Sequence, residues 1–503
     1  MDMPEPPAAA PRTFTHAEIK RVVIGIMLCI LLAALDQTVV IPAVPAIAGD
    51  LQAFGHLSWI VTAYLLTSTA ATPLYGKLSD IYGRRALLLP ALVLFIVASM
   101  LCGYATTLPQ LIGARALQGL GGAGLMAMAQ AAVADVVAPR ERGRYQGYMA
   151  SMWGIASIGG PIVGGYVTDH LSWRWLFWAN LPIGLVAFYL CNRALRTIPV
   201  VRRPARIDWT GAALLVGSVT ACLLTLSWGG SEYAWASAPI LGLIAVAVAS
   251  LGALVWWERR AADPVLPPRL FADAVFFRGV MVAFVSSLGL FGVTFLLPLY
   301  FQLILGVDAS SSGLLVMPFM AANVAGAYTS GQVARRIGRT RIILVCALSL
   351  ATVGLTGLVI LGPLWFMLLS SIVLGCGIGA TMPTVLITVQ NAAASRDVGA
   401  ATGSLLFLRS MGGAFGSTVV GTILTLKFNA GLVAMGLAAV DLGSLRGEGG
   451  PGLSLSQARA ALMPGFMVAF GLCAALMAVA ILIARGMKDQ PLRSGLTPTP
   501  PAH

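Results

Sequence analysis

Blocks of about 20 consecutive apolar residues, separated by short polar interruptions, recur along the whole chain and match the thickness of a bilayer core. That recurrence dictates an all-α integral membrane protein. A soluble fold is excluded, because 58% of the 503 residues are hydrophobic and only 10% are charged, too few to coat a globule of this size. The net charge of +13 is no nucleic-acid footprint, since its distribution along the chain follows membrane topology. The first block is too long for a signal-peptide core and lacks a small-residue cleavage site, so it reads as a retained helix.

Fourteen helices are expected, starting near Val22, Leu57, Ala86, Leu108, Gln146, Trp175, Trp209, Pro239, Gly279, Ser312, Arg341, Leu364, Ala401 and Gly465. An even number puts both termini on one side, and the positive-inside rule makes that side cytoplasmic: 26 of the 32 Lys and Arg residues then face inward. The loop after helix 2, GKLSDIYGRRALL, repeats after helix 10 as GQVARRIGRTRII, which divides the chain into two six-helix halves. The expected organisation is a cytoplasmic tail (1–20), an amino-terminal half (21–200), an inserted two-helix hairpin (201–260), a carboxy-terminal half (261–490) and a second cytoplasmic tail (491–503). Basic, proline-containing linkers, RRPARIDW and ERRAADPVLPPRLF, bracket the hairpin. A glycine-rich outer loop is expected from Lys427 to Ala461, either as a tolerated insertion or as a lid.

Asp36 is the only Asp or Glu well inside any of these helices. A charge at that depth costs about 2.5 to 3.5 kcal/mol on insertion scales, so it marks function by default. Arg115 is its expected partner. Asp36 lies 14 residues above Val22 and Arg115 lies 19 above Ala134, which at 1.5 Å per residue brings the two to similar depths on antiparallel helices. Burial disfavours the charged carboxylate while the cation favours it, so a solute that alters either influence couples its own movement to a proton. The alternative is a static ion pair that holds helices 1 and 4 together. Arg409 has no acid at its depth and reads as a snorkelling or carbonyl-bound side chain in preference to an anion-substrate group. Asn323, Gln390 and Asn391 are expected to satisfy one another or interhelical backbone. The seven cysteines all fall in apolar segments, with no CxxC pair and no metal-ligand spacing, so they read as packing residues and no metal site is expected.

In the inner loop, Gly76 and Gly83 read as permitting a tight turn, while Asp80 and Arg84 place opposite charges at i,i+4 spacing, as a conformational latch or as plain topogenic charge. In ASIGGPIVGG of helix 5, Gly160, Gly164 and Gly165 beside Pro161 allow close backbone approach and a kink.

With these two motifs, LIGARALQGLGGAG in helix 4, WRWLFWANLPIG into helix 6, DWTGAALL opening helix 7 and LPLYFQ in helix 9 resemble, in order, the drug:proton antiporters with fourteen spanners in the major facilitator superfamily. The resemblance covers nearly the whole chain. It departs from the usual pattern at Ala156, where a glycine is usual, at Ile41 and Pro42 in helix 1, and at Arg335 where the first repeat has Asp80. It implies that Arg115 assists proton transfer, that Asp80 faces the amino end of helix 13, that Arg84 pairs with Asp135, and that the helix 5 glycines seal the cavity against proton leak. It also implies that helices 1, 4, 9 and 12 line a substrate cavity, where Asp36, Gln37, Gln118, Met126, Phe291, Phe295 and Met382 are the candidates, each equally suited to packing. The implied activity is proton-coupled export of lipophilic, cationic drugs by alternating access. A dedicated exporter of one endogenous metabolite, antibiotic or siderophore is the alternative, and a lipid flippase or membrane enzyme a more remote one. No Walker A loop, HExxH or nucleophile elbow is present, so no enzyme chemistry is expected. The expected partners are a small-molecule substrate, protons and the lipid bilayer, with no cofactor beyond the proton gradient and no nucleic acid. The expected setting is a bacterial inner membrane, with a monomer that works alone or with periplasmic efflux partners.

Overall fold

A computed structural model describes residues 15–51, 58–197, 207–230, 232–437 and 454–492. Most of the first tail, part of the first basic linker (198–206), the glycine-rich stretch 438–453 and the end of the second tail (493–503) lie outside the described residues. The helices are α1 (His16–Asp50), α2 (Ser58–Tyr82), α3 (Arg84–Tyr104), α4 (Leu108–Val136), α5 (Pro139–His170), α6 (Arg174–Trp178), α7 (Asn180–Ala194), α8 (Trp209–Trp228), α9 (Ala238–Glu258), α10 (Pro268–Ala272), α11 (Ala274–Leu303), α12 (Ala309–Ile337), α13 (Arg341–Val359), α14 (Leu364–Ala392), α15 (Val398–Ala434) and α16 (Leu455–Arg485). With α6 and α7 together forming the expected helix 6, and α10 a five-residue turn before α11, fourteen membrane-length elements remain among the described residues. Eleven are apolar enough to cross a membrane on composition alone. The other three, α2, α5 and α12, run 25, 32 and 29 residues and are diluted by the glycines and hydroxyls with which they face neighbouring helices.

Several boundaries differ from the sequence expectation, among them α5, which starts at Pro139 and not near Gln146, and α11, which starts at Ala274 and not near Gly279; three further differences have a local reason. Helix α1 starts at His16 because Thr15 and Glu18 form a reciprocal capping box ahead of the apolar run at Val22. It then continues through Pro42 and Pro45 to Asp50. Helix α16 starts at Leu455, ten residues before Gly465, on a second capping box between Ser454 and Gln457. As α15 also runs on to Ala434, the outer loop expected from Lys427 to Ala461 is helical at both ends. Helix 6 breaks after Trp178 and restarts at Asn180, with Pro182 in the first turn where its missing N–H costs nothing.

Two hydrophobic cores form. The amino-terminal half packs α1, α3, α4 and α7 around Ile26, Ile30, Phe95, Leu125 and Met128. The carboxy-terminal half packs α11, α13, α14, α15 and α16 around Phe301, Leu348, Leu374, Phe428 and Phe470. The halves meet along α5 against α12 and α2 against α15. The internal repeat is visible in the backbone, since Gly83 (φ 88°) and Gly338 (φ 70°) both take a positive φ in corresponding loops. Gly76 corrects the turn expectation. It lies inside α2, where an added Cβ would overlap the Gly399 carbonyl of α15, and its repeat mate Gly331 meets Gly143 of α5 in the same way. Both glycines therefore bring the two halves into backbone contact.

The inserted hairpin, α8 and α9, lies against α2 and α15. Leu215 and Val219 of α8 join Ala70 of α2 and Phe407 and Met411 of α15 in one apolar cluster. Asp208 caps α8 through the Gly211 amide and accepts from the Trp257 indole of α9 at 2.8 Å, which fixes the cytoplasmic end of the hairpin.

Candidate functional site

Asp36 and Arg115 meet. The α4 run LQGLGGAG lets that helix press onto α2: a Cβ at Gly119 would overlap the Tyr64 backbone, and one at Gly122 would overlap the Tyr64 hydroxyl. This close approach sets the Arg115 guanidinium over the Tyr64 ring, 4.6 Å from its centroid. One Arg115 nitrogen donates to Asp36 Oδ2 at 2.6 Å, and Nε donates to the Ile60 carbonyl at 3.1 Å. Gln118, one turn along α4, donates to Asp36 Oδ1 at 2.7 Å and accepts from Arg115 at 2.7 Å. Asn180 of α7 donates to the same Asp36 oxygen at 3.1 Å and to Ser99 at 2.8 Å, and Ser99 donates to the Phe177 carbonyl at 2.9 Å. The ion-paired side chains are each 1% exposed.

Three donors on one carboxylate suit its ionised, acceptor-only form. A proton fits the remaining lone pair of Oδ2 and cancels the charge that strengthens these hydrogen bonds, so it loosens the carboxyl from its donors. Arg115 would keep Gln118, Ile60 and the Tyr64 ring, so the rearrangement falls on Asp36. Tyr64, Ser99 and Asn180 were not among the sequence candidates. Asn180 carried a readable signal, as a lone amide inside WANLPIG, but nothing in one sequence relates its depth to that of Asp36.

At the cytoplasmic ends, Asp80 accepts hydrogen bonds from the Gly399 and Ala400 amides at 2.9 and 2.8 Å, across the interface and onto the first turn of α15. Arg84 pairs with Asp80 at 2.8 Å and Asp135 at 2.7 Å, and also contacts Ser79. Further links between the halves cluster at the same level. Glu141 pairs with Arg335 at 3.1 Å, and Gln390 of α14 joins Arg142 of α5 and Thr402 of α15. Arg335, which replaces an acid of the first repeat, thus serves the same closure. The inner ends of the two halves are closed on each other. Arg142, Gln390 and Thr402 went unmarked as a gate because each reads in isolation as an ordinary interface residue.

In the helix 5 motif, Gly160 and Gly164 face α1: an added Cβ would overlap Thr38 at the first and the Val39 carbonyl at the second. Thr38 donates to the Ala156 carbonyl at 2.8 Å, and the Ala156 methyl is accommodated with no exposure. Gly165 corrects the expectation of close approach, since nothing lies within 4 Å of a Cβ there, and Pro161 is exposed within the continuous helix α5.

The substrate candidates do not gather into one site. Gln118 belongs to the ion-pair cluster and is fully buried. Gln37 is partly buried and lies near the Tyr64 hydroxyl. Met126 packs on the amino-terminal core. Phe291 and Phe295 are exposed and lie alongside Gly413 and Gly421 of α15. Met382 lines a different cavity, between α11, α14 and α15, with Ser286, Ser287, Thr381 and Arg409. Asn391 reaches the Pro491 carbonyl at 3.4 Å, and the Asn323 backbone lies against Gly379.

Comparison with known proteins gives this geometry a family. A family model described as Major Facilitator Superfamily matches residues 26–417. An uncharacterized MFS-type transporter of Mycobacterium tuberculosis is 38% identical over 399 residues, 78% of this chain and 58% of that protein, so the chain aligns with little more than half the length of that relative. The multidrug transporter protein MdtP of Bacillus subtilis is 35% identical over 418 residues, 80% of this chain and 75% of the relative. The solved proton:xylose symporter XylE bound to 6-bromo-6-deoxy-D-glucose superposes with a TM-score of 0.64 at 16% identity, covering 95% of this chain and 98% of its own, which is a likeness of fold alone. With two six-helix halves, a repeated inner-loop motif and this family match, the chain belongs to the major facilitator superfamily of membrane transporters.

Proposed function

We propose that the protein is a proton-coupled exporter of lipophilic compounds, a drug/proton antiporter that works by alternating access. The observation that carries the reading is the Asp36 carboxylate, buried within the membrane and held by donors from α4 and α7 while the inner ends of the halves are latched. A proton arriving from outside neutralises Asp36 and loosens the carboxyl from its donors. Opening of the inner side then exposes the protonated group to the cytoplasm, where proton loss and solute binding become alternatives. A cationic solute gains attraction from Asp36 in the states where the carboxylate has turned away from Arg115, which supports cations among the substrates. The likeness to a protein named as a multidrug transporter supports the breadth of transport. The same reading places the chain in a bacterial inner membrane as a monomer, alone or with periplasmic efflux partners, driven by the proton gradient without a cofactor.

The test is pH-gradient-driven efflux from reconstituted vesicles with Asp36→Asn. Exchange driven by the gradient should be lost while solute still equilibrates. Unchanged coupled exchange would make the Asp36–Arg115 pair a static clamp and sink the proposal.

A further inference from the structure

From the cavity around Arg409 we infer an anion-recognising subsite in the carboxy-terminal half, which takes the carboxylate, sulfonate or phosphate group of an amphiphilic solute. Three helices bring its walls to one depth. Ser286 and Ser287 lie 12 and 13 residues into α11, Arg409 lies 11 into α15, and Thr381 lies 11 before the end of α14. At 1.5 Å per residue these positions are about 16 to 20 Å from the cytoplasmic ends of their helices, beyond the reach of a snorkelling arginine.

Arg409 therefore carries a full charge in the membrane interior, where such a group costs about 2.5 to 3.5 kcal/mol unless compensated. Its own half provides no compensation. None of α11 to α16 contains an Asp or Glu. Among the described residues Arg409 makes no hydrogen bond or ion pair, to a backbone carbonyl or to any other group, which corrects the carbonyl-bound expectation. In the other half, by contrast, Arg115 is matched by Asp36.

The cavity thus presents five unused N–H donors on a planar fork, the geometry that matches a carboxylate or phosphate bidentately. The Ser286 and Thr381 hydroxyls contact carbonyls of their own helices, Ala283 and Gly377, and retain the freedom to turn toward an anion. Leu290, Ile378 and Met382 form apolar wall around the charge, so the ligand is an amphiphile with an anionic group.

The inference deepens the exporter reading and rests on it for the claim that the ligand is cargo, but recognition itself is testable without transport. The probes are dansyl-phenylalanine and its uncharged amide, which share one lipophilic body and differ in the carboxylate. Their binding is followed by fluorescence to the full-length protein in phosphatidylcholine nanodiscs, without a pH gradient and without anionic lipid. The wild type should bind the carboxylate about 10- to 100-fold more tightly than the amide. Arg409→Gln should abolish that ratio with the amide affinity unchanged, Arg409→Lys should retain part of it, and Thr381→Val, which keeps the charge, should lower it about threefold. A wild-type ratio near one, or a ratio that survives Arg409→Gln, would leave only a hydrated arginine and overturn the inference. If Arg409→Gln fails to fold, the wild-type, Arg409→Lys and Thr381→Val ratios decide by the same criterion. Failure of proton coupling would appear separately, in the Asp36→Asn flux, and would leave these ratios untouched.

Discussion

The Asp80 latch gives a prediction whose size follows from the structure. Asp80 accepts two α15 amide hydrogen bonds and lies at that helix's positive end, with its side chain 7% exposed. Asp80→Asn keeps the shape and removes the charge. It costs at least one charge-assisted hydrogen bond, about 1.5 to 3 kcal/mol, and the attraction to the helix terminus, about 0.3 to 1 kcal/mol. Arg84 keeps Asp135, so the amino-terminal half should stay folded. The loss, roughly 2 to 4 kcal/mol, falls on the state in which the inner ends are closed and shifts its ratio to the open state roughly 30- to 1,000-fold. Spin labels at Arg144→Cys and Arg336→Cys, exposed on α5 and α12, with the seven native cysteines replaced, report the separation of the inner ends. The variant should broaden the distance distribution toward longer values in the absence of substrate. An unchanged distribution would mean that Glu141–Arg335 and the Gln390 bridge hold the inner side closed unaided, and that the charge of Asp80 serves topology only.

Other substitutions test neighbouring parts of the argument. Arg115→Gln leaves Asp36 buried without its cation and should destabilise the protein by about 3 to 5 kcal/mol, while Arg115→Gln with Asp36→Asn should recover most of the loss; thermal unfolding in one detergent measures both, and additive losses would contradict the pairing. Gly160→Leu drives a side chain into Thr38 and should abolish gradient-driven export or produce a substrate-independent proton leak; coupled transport at the wild-type rate would show that α1 and α5 need no such close contact.

Sequence reasoning reached furthest where a physical cost had to be compensated. An intramembrane carboxylate is expensive, so Asp36 needed a partner, and depth counting on antiparallel helices identified Arg115. The same logic failed for Asn180 and Ser99, because neutral polar residues in membrane helices are common and their partners depend on rotations that one sequence does not specify. Glycines divide the same way. Gly83 was readable because a turn between helices needs positive φ, whereas Gly76 and Gly165 depend on which face of their helix meets another. The early starts of α1 and α16 were legible in T-x-x-E and S-x-x-Q, but hydropathy alone starts a helix where the apolar run starts. Arg409 was recognised as unpaired, yet its cavity could not be foreseen, since three helices build it and each contributes residues that pack elsewhere in lipid-facing helices.

The α8–α9 hairpin makes the two membrane-facing seams of the transporter unequal. Along α2 and α15 it forms an apolar strap that touches both halves, whereas the α5–α12 seam is packed by α14, a helix of the carboxy-terminal half itself. On the proposed export of lipophilic compounds, the strap covers the α2–α15 flank, and lateral exchange between lipid and cavity is expected on the α5–α12 side. The strap also has a mechanical consequence. On the alternating-access reading, the halves rock apart at their inner ends, and Leu215 and Val219 cannot then follow both Ala70 and Met411, so the hairpin travels with one half and slides over the other, trading one greasy contact for lipid. On the same reading the sliding face sets a friction on the cycle that the two six-helix halves alone would not carry.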